Sequence, residues 1–120
     1  ILSQLVTEVC TVERIDPLLR KAKERFRKLG LKNITAELSD GSFGWDKHAP
    51  YDGIITTAAP QAVPEDLLRQ MAPDGILVIP VGNGVSQDLR VLRRLGDSAE
   101  FDEEIVEKVK FVPLLGGLSR

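Results

Sequence analysis

The stretch Tyr51-Asp52-Gly53-Ile54-Ile55-Thr56-Thr57-Ala58-Ala59-Pro60 gives the clearest indication of the fold. Its apolar, β-branched centre at Ile54 and Ile55 predicts a buried strand. The small residues and the proline that follow predict that this strand ends at an open edge of a parallel sheet, where ligands usually bind. We therefore expect residues 57–60 to let a bulky group approach the backbone. Taken alone, the stretch fits a plain strand-to-loop turn punctuated by Pro60 better.

The composition is that of an ordinary globular chain. Its 120 residues are enough for one modest domain, and 42% of them are hydrophobic and 28% charged. A formal net charge of -2 gives no general electrostatic reason to bind nucleic acid or an anionic membrane. There is no apolar run long enough to span a bilayer and no secretory signal. We expect neither a nucleic-acid nor a membrane partner.

The chain offers few side chains for catalysis or metal binding. It has one cysteine, Cys10, and one histidine, His48, so we expect no internal disulfide, no zinc site and a reducing, cytoplasmic location. His48 has no partner at a recognisable spacing and is expected to be a surface or packing residue. No nucleophile and base are spaced for covalent catalysis.

The remaining patterns predict the element order β-α-β-β-α-β-β-β. Asp16 is expected to cap the first helix, with Pro17 at its first helical position. The residues expected to face inward from that helix are Leu18, Leu19, Ala22, Phe26 and Leu29. Ile1 to Val6 resembles the last turns of a helix, so we expect the chain to be the later part of something longer. The predicted elements are strands at 8–13, 33–38, 51–57 and 76–81, helices at 16–30 and from 63 to Met71, and an antiparallel pair at 88–95 and 101–112.

Two acids stand where predicted parallel strands end. Glu13 closes the first strand and Asp40-Gly41 follows the second, so both are expected at the same rim as residues 57–60. A carboxylate at such a position can accept both hydroxyls of a ribose. Asp40 could accept a hydrogen bond from the exocyclic amine of an adenine, while Gly41 lets the backbone approach the adenine ring. Strand-end acids also cap helices or lie in water, and for Glu13 alone that interpretation has equal weight.

An ordered set of motifs carries a resemblance to a known family. The chain resembles the C-terminal part of the protein-L-isoaspartate O-methyltransferases, which are class I S-adenosylmethionine-dependent enzymes. The set comprises Val12-Glu13-Arg14-Ile15, Asp40-Gly41 with Gly44-Trp45, Tyr51 to Ile55 leading to Thr57-Ala58-Ala59-Pro60, Gly75 to Gly82, and Phe111-Val112-Pro113-Leu114.

The resemblance implies a single partial methyltransferase domain over residues 1–120. Its α/β fold would be a Rossmann-like sheet, mostly parallel with an antiparallel C-terminal pair, from which the first, central strand is missing. The family's glycine-rich cofactor loop and its active-site hydroxyl would lie upstream of Ile1, so no catalytic residue is assigned within this chain.

The resemblance also implies the cofactor, the partners and the site residues. S-adenosyl-L-methionine would donate its methyl group to the free carboxylate of isoaspartyl residues in damaged proteins, which starts their repair. That carboxylate is ionised at neutral pH, so alignment rather than a general base would drive the transfer. The implied cofactor-binding residues are Glu13 and Arg14 at the ribose and Asp40 and Gly41 at the adenine, and the implied substrate-binding residues are Thr57, Ala58, Ala59, Pro60, Val112, Pro113 and Leu114.

Two alternatives remain open at this point. Glu13 would serve the ribose of a dinucleotide equally well, as in a fragment of an NAD(P)-dependent oxidoreductase, although the antiparallel tail at 88–112 disfavours it. A noncatalytic α/β interaction module is the other alternative. Under the methyltransferase hypothesis, we expect the isolated 120 residues to have little or no activity.

Overall fold

The computed structural model describes residues 1–115 and divides them into two compact units, residues 1–41 (unit 1) and residues 42–115 (unit 2). The predicted order of helices and strands is confirmed, with three short 3-10 turns added to it. The expectation of a single domain stays a prediction.

Unit 1 contains a parallel pair of strands joined by a helix. A 3-10 turn at Leu2–Gln4 precedes β1 (Val9–Glu13), α1 (Asp16–Lys28) and β2 (Ile34–Leu38). The two strands pair in parallel from Val9 opposite Ile34 to Glu13 opposite Leu38. The expected end of a helix at residues 1–6 is wrong, because only the single 3-10 turn forms there.

The predicted cap of α1 is also wrong. Ile15 is the N-cap residue, no side chain caps the helix, and Asp16 is already helical. The Asp16 carboxylate instead pairs with the Arg20 guanidinium at 3.0 Å, one turn further along. An acid in the first turn still interacts favourably with the helix dipole.

The apolar face of α1 is narrower than its spacing predicts. Leu19 is 4% exposed, whereas Leu18 is 48% and Leu29 is 72% exposed. Ala22 and Phe26 are half-buried. The inward orientation predicted for Leu18 and Leu29 is therefore wrong, since the two strands of unit 1 cover only the stripe that contains Leu19.

Unit 2 is built on a mixed four-stranded sheet. Its elements are β3 (Tyr51–Ile55), α2 (Glu65–Arg69), β4 (Met71–Val81), β5 (Gln87–Arg94) and β6 (Phe101–Val109). The strands lie in the order β3-β4-β5-β6, with β3 parallel to β4 and the other pairs antiparallel. The predicted antiparallel pair at the C-terminal edge is confirmed.

The core of unit 2 lies around β4. Leu77 and Ile79 are fully buried, and Leu67 from α2 and Leu92 from β5 pack against them. The continuous apolar run from 76 to 81 is thus a central strand, as predicted. Met71, predicted in the preceding helix, is instead the fully buried first residue of β4.

The strand β3 differs from its prediction. Ile54 packs against the core, but Ile55 is 60% exposed. Within the sheet of unit 2, β3 is an edge strand that pairs with β4. The prediction that Ile55 is buried is wrong.

The described residues contain no membrane-spanning helix. Neither α1 nor α2 combines the length and apolarity that crossing a bilayer requires.

Candidate functional site

In unit 1, Glu13 and Asp40 lie at one edge of the parallel strand pair. Glu13 is the last residue of β1 and stands opposite Leu38, the last residue of β2. Asp40 follows β2 by two residues, and the carboxyl ends of parallel strands meet at the same edge. This part of the predicted arrangement, within unit 1, is therefore present.

The backbone holds the Glu13 carboxylate in a defined orientation. Its Oε2 accepts the N–H of Arg14 at 2.6 Å, and the Glu13 carbonyl accepts the N–H of Ser39 at 3.0 Å. Among residues 1–115, no protein group donates to Oε1. Glu13 and Arg14 are both half-buried. One carboxylate oxygen is thus anchored and the other can accept a hydroxyl from a ligand.

Asp40 is far less accessible than Glu13. It is 4% exposed, while the following Gly41 is half-buried. Carboxylates are rarely buried to this degree without polar partners. Because so little of Asp40 is exposed, a ligand amine would reach its carboxylate only through a restricted space.

In unit 2, the two predicted substrate-binding segments are hydrogen-bonded to each other. The N–H of Ala59 donates to the Val112 carbonyl at 2.7 Å, and the N–H of Leu114 donates to the Ala59 carbonyl at 2.9 Å. These bonds form a parallel bridge between Ala59 and Pro113. We call residues 57–60 and 112–114 together the 59–113 wall. Both halves of this predicted site are brought together although more than fifty residues separate them in the chain.

The wall combines a buried base with exposed residues. Ala59 is 3% exposed and Pro60 is buried, while Thr57 is exposed, Ala58 is half-buried and Val112 is 68% exposed. The N–H of Gly82 donates to the Pro60 carbonyl at 2.9 Å, which fixes the end of the segment to the end of β4. At Ala59 the backbone is occupied by residues 112–114 of the same chain, and the expectation that a bulky group approaches residues 57–60 stays a prediction.

Gln70 is a buried polar residue that the sequence analysis missed. It is 3% exposed, and its Oε1 accepts the N–H of Trp45 at 2.9 Å. Its Nε2 donates to the Phe43 carbonyl at 2.8 Å and to Asp46 Oδ1 at 2.7 Å. Gly44 has a φ of +62° there, and a Cβ on it would clash with Gln70 Oε1. Gln70 therefore fixes the loop at 43–46 and requires glycine at position 44.

Gln87, a second buried amide, was also missed. It is 2% exposed at the first position of β5. Its side chain donates to the Asn83 carbonyl at 2.7 Å and accepts the N–H of Phe111 at 2.6 Å. The only sequence signal for Gln70 and Gln87 is a long polar side chain beside an apolar strand, which is too common to identify them.

The remaining candidates have modest roles. Cys10 lies within β1, where burial first and the neighbouring Glu8 second raise the pKa of its thiol. His48 is exposed, and its ring meets that of Trp45 edge-on at 4.6 Å, which agrees with a packing role. The expectation that the acids of unit 1 share one rim with residues 57–60 stays a prediction.

Comparison with curated proteins identifies relatives over the whole chain. The protein-L-isoaspartate O-methyltransferase of Hahella chejuensis is 55% identical over 120 residues, which are 100% of this chain and 56% of the relative. The enzyme of the same name from Cellvibrio japonicus is 53% identical over 120 residues, again 100% of this chain and 54% of the relative. The chain thus spans about half the length of the curated relatives it matches.

Solved structures agree in fold. A Plasmodium falciparum chain, described as a β-aspartate methyltransferase in complex with S-adenosyl-L-homocysteine, superposes with a TM-score of 0.76 at 20% identity, covering 92% of this chain and 53% of that one. A second structure, of a protein-L-isoaspartate O-methyltransferase, gives a TM-score of 0.78 at 23% identity and covers 92% of this chain and 34% of the other. The predicted methyltransferase-type α/β fold is confirmed.

A family model gives the same assignment as the motifs. The model described as protein-L-isoaspartate(D-aspartate) O-methyltransferase matches residues 1–119. This match confirms the resemblance inferred from the ordered motifs, and the chain belongs to the protein-L-isoaspartate(D-aspartate) O-methyltransferase family.

Proposed function

We propose that this chain functions in an S-adenosylmethionine-dependent transfer of a methyl group to the free carboxylate of isoaspartyl residues in damaged proteins. Family membership over residues 1–119 supports the reaction class. The observation that carries the proposal is the bridge between Ala59 and Pro113, because it unites the two segments expected to bind the isoaspartyl peptide.

We assign the ribose of the cofactor to Glu13 and Arg14 and the adenine to Asp40 and Gly41. The Glu13 carboxylate fits this assignment, since its Oε2 accepts a hydrogen bond from the Arg14 N–H while its Oε1 remains available to a ribose hydroxyl. A pair of vicinal hydroxyls is a donor that such a carboxylate binds well. When bound, S-adenosylmethionine would supply an electrophilic methyl group: a carboxylate oxygen forms the methyl ester as the bond from sulfur to that methyl group breaks, and S-adenosylhomocysteine leaves.

We assign the peptide to the 59–113 wall. Thr57 is exposed and Ala58 is half-buried, so a peptide backbone can approach the wall there, while the bond from Gly82 to Pro60 holds the segment in place. The isoaspartyl carboxylate is already ionised at neutral pH, so the chain need not remove a proton from it. The residues of the wall would contribute by orienting the carboxylate and excluding water.

Neither alternative function is favoured. The nicotinamide-dependent oxidoreductase and the noncatalytic module were both compatible with Glu13 at a strand end. Each would have to explain why the family model covers residues 1–119. We also propose a cytoplasmic location, where the single Cys10 would stay reduced.

The reaction is tested with a chimera, because the relatives are about twice as long as this chain. Residues 1–120 replace the matching segment of the Hahella chejuensis relative. Transfer of labelled methyl from S-adenosylmethionine is then measured on an isoaspartyl peptide and on the same peptide with ordinary aspartate.

The proposal predicts that the chimera methylates the isoaspartyl peptide and does not methylate the same peptide with ordinary aspartate. The unmodified relative is the positive control, and the 120 residues by themselves should give little or no turnover. A folded chimera that is inactive while the relative is active would contradict the proposal. Turnover by the isolated 120 residues would contradict the expectation that they are inactive alone.

A further inference from the structure

Gln87 joins two segments of unit 2 that are distant in the sequence. Its Nε2 donates to the carbonyl of Asn83 at 2.7 Å, and its Oε1 accepts the N–H of Phe111 at 2.6 Å. The turn at 82–86 packs closely on this residue, since a Cβ on Gly82 would lie 2.9 Å from the Ser86 carbonyl oxygen and 3.1 Å from Gln87 Cα. The side chain is thus fixed at both ends.

The segment that Gln87 holds leads directly into the 59–113 wall. Phe111 is followed by Val112, whose carbonyl accepts the Ala59 N–H, and Leu114 donates to the Ala59 carbonyl. The position of Phe111 therefore determines how residues 112–114 lie against residues 57–60. Within residues 1–115, β6 ends at Val109, so no strand ladder continues to Phe111 to do this instead.

We infer that Gln87 is a positioning residue for the peptide-binding wall: its carboxamide sets the alignment of residues 111–114 against Ala59. The naming of the wall's ligand rests on the proposed function, but the positioning itself does not. Gln87 acts through Phe111 and touches neither predicted ligand.

The chemistry at this position is demanding. One end of the side chain must donate and the other must accept, in a site where Gln87 is 2% exposed. Gln87→Met keeps the approximate size and loses both bonds. Gln87→Glu keeps the shape, yet its carboxylate can accept from Phe111 but cannot donate to Asn83. Once protonated, the same glutamic acid can do both.

The first test measures amide hydrogen exchange by NMR on the 120-residue chain. In Gln87→Met, exchange at Ala59, Phe111 and Leu114 should accelerate by about tenfold or more, because a buried residue loses two hydrogen bonds. Exchange at Leu77, in the centre of the sheet, should stay within about threefold of wild type. Gln4→Met, at an exposed glutamine of unit 1, is the matched control and should change none of these amides.

Gln87→Glu separates positioning from filling of space. Burial raises the pKa of a glutamic acid at this position. We expect fast exchange at Ala59 and Leu114 relative to wild type above that pKa, where the carboxylate cannot donate to Asn83, and recovery below it. Wild-type behaviour on both sides of that pKa would show that donation to Asn83 is not required, since glutamate and glutamine have the same shape. Wild-type exchange in Gln87→Glu throughout the pH range would overturn the inference. Unchanged exchange at Leu114 in Gln87→Met, or an acceleration at Leu77 equal to that at Leu114, would overturn it as well.

A titration with an isoaspartyl peptide distinguishes failure of the inference from failure of the proposed function. In the chimera with the Hahella chejuensis relative, the peptide should cause shifts at Ala59 and Leu114, and Gln87→Met should weaken this binding by about tenfold. The affinity of the chimera for S-adenosylhomocysteine should not change. A chimera without Gln87→Met that shows no shifts would count against the proposed function, while equal peptide affinity with and without Gln87→Met would count against the inference.

Discussion

Replacement of Gln70 by leucine should destabilise unit 2 substantially. The substitution places an apolar side chain of similar size in a site that is 3% exposed, and it removes the bonds to Trp45, Phe43 and Asp46. At about 1 kcal/mol for each bond, and more for the one to a carboxylate, the loss should be about 2–4 kcal/mol. That is a large part of the roughly 5–15 kcal/mol typical of a domain.

Urea denaturation followed by circular dichroism measures this loss. Gln61→Leu makes the same chemical change at an exposed glutamine and should alter the free energy of unfolding by less than about 0.5 kcal/mol. A Gln70→Leu protein that matches Gln61→Leu would show that the three hydrogen bonds do not hold the loop at 43–46, and the explanation given for Gly44 would fail with them.

Three further predictions concern unit 1. Glu13→Gln should weaken S-adenosylhomocysteine binding by about tenfold or more, because hydrogen bonds to charged groups contribute about 1.5–3 kcal/mol; calorimetric titration that finds equal affinity would refute the ribose role. Leu19→Ala should lower the free energy of unfolding, measured by urea denaturation, by about 2–4 kcal/mol. Leu18→Ala, at a side chain that is 48% exposed, should lower it by less than about 1 kcal/mol. Equal losses would refute the assignment of the buried face. Burial raises the pKa of the Cys10 thiol, so iodoacetamide should label it more slowly than it labels the unfolded chain, up to the pH at which the folded thiol ionises. The stability that the raised pKa confers should fall as pH rises through that value. Labelling as fast as in the unfolded chain at pH 8 would contradict this prediction.

The order of elements was predictable because it depends on local patterns. The uninterrupted apolar run at 76–81 identified the central strand β4, and the alternating charged segments after it identified the antiparallel pair. The helix α1 followed from its spacing and from Gly30, whose φ of +69° suits a residue just beyond a helix end. Each of these signals lies within a window of about a dozen residues.

The degree of burial was less predictable because it depends on what lies against each element. Leu18, Leu29 and Ile55 are apolar and correctly spaced, yet they are 48%, 72% and 60% exposed. Periodicity shows which side of a helix or strand is apolar, but it does not show how much of that side another element covers.

The site was predictable to the extent that it follows from strand ends. Parallel pairing placed Glu13 and Asp40 at one edge of unit 1, as the sequence indicated. Gln70 and Gln87 could not be found in this way, because their partners Phe43 and Phe111 are 27 and 24 residues away. Hydrogen bonds between distant segments leave no periodic trace in a single sequence.

Mapping S-adenosylhomocysteine by NMR on the 120-residue chain tests the central assignment most directly. The account predicts that the amides of Arg14 and Gly41 shift most in unit 1 as the ligand is added, and that Glu13→Ala reduces the shift at Arg14. Ligand-dependent shifts that leave Arg14 and Gly41 unchanged would contradict the assignment of the cofactor to these residues.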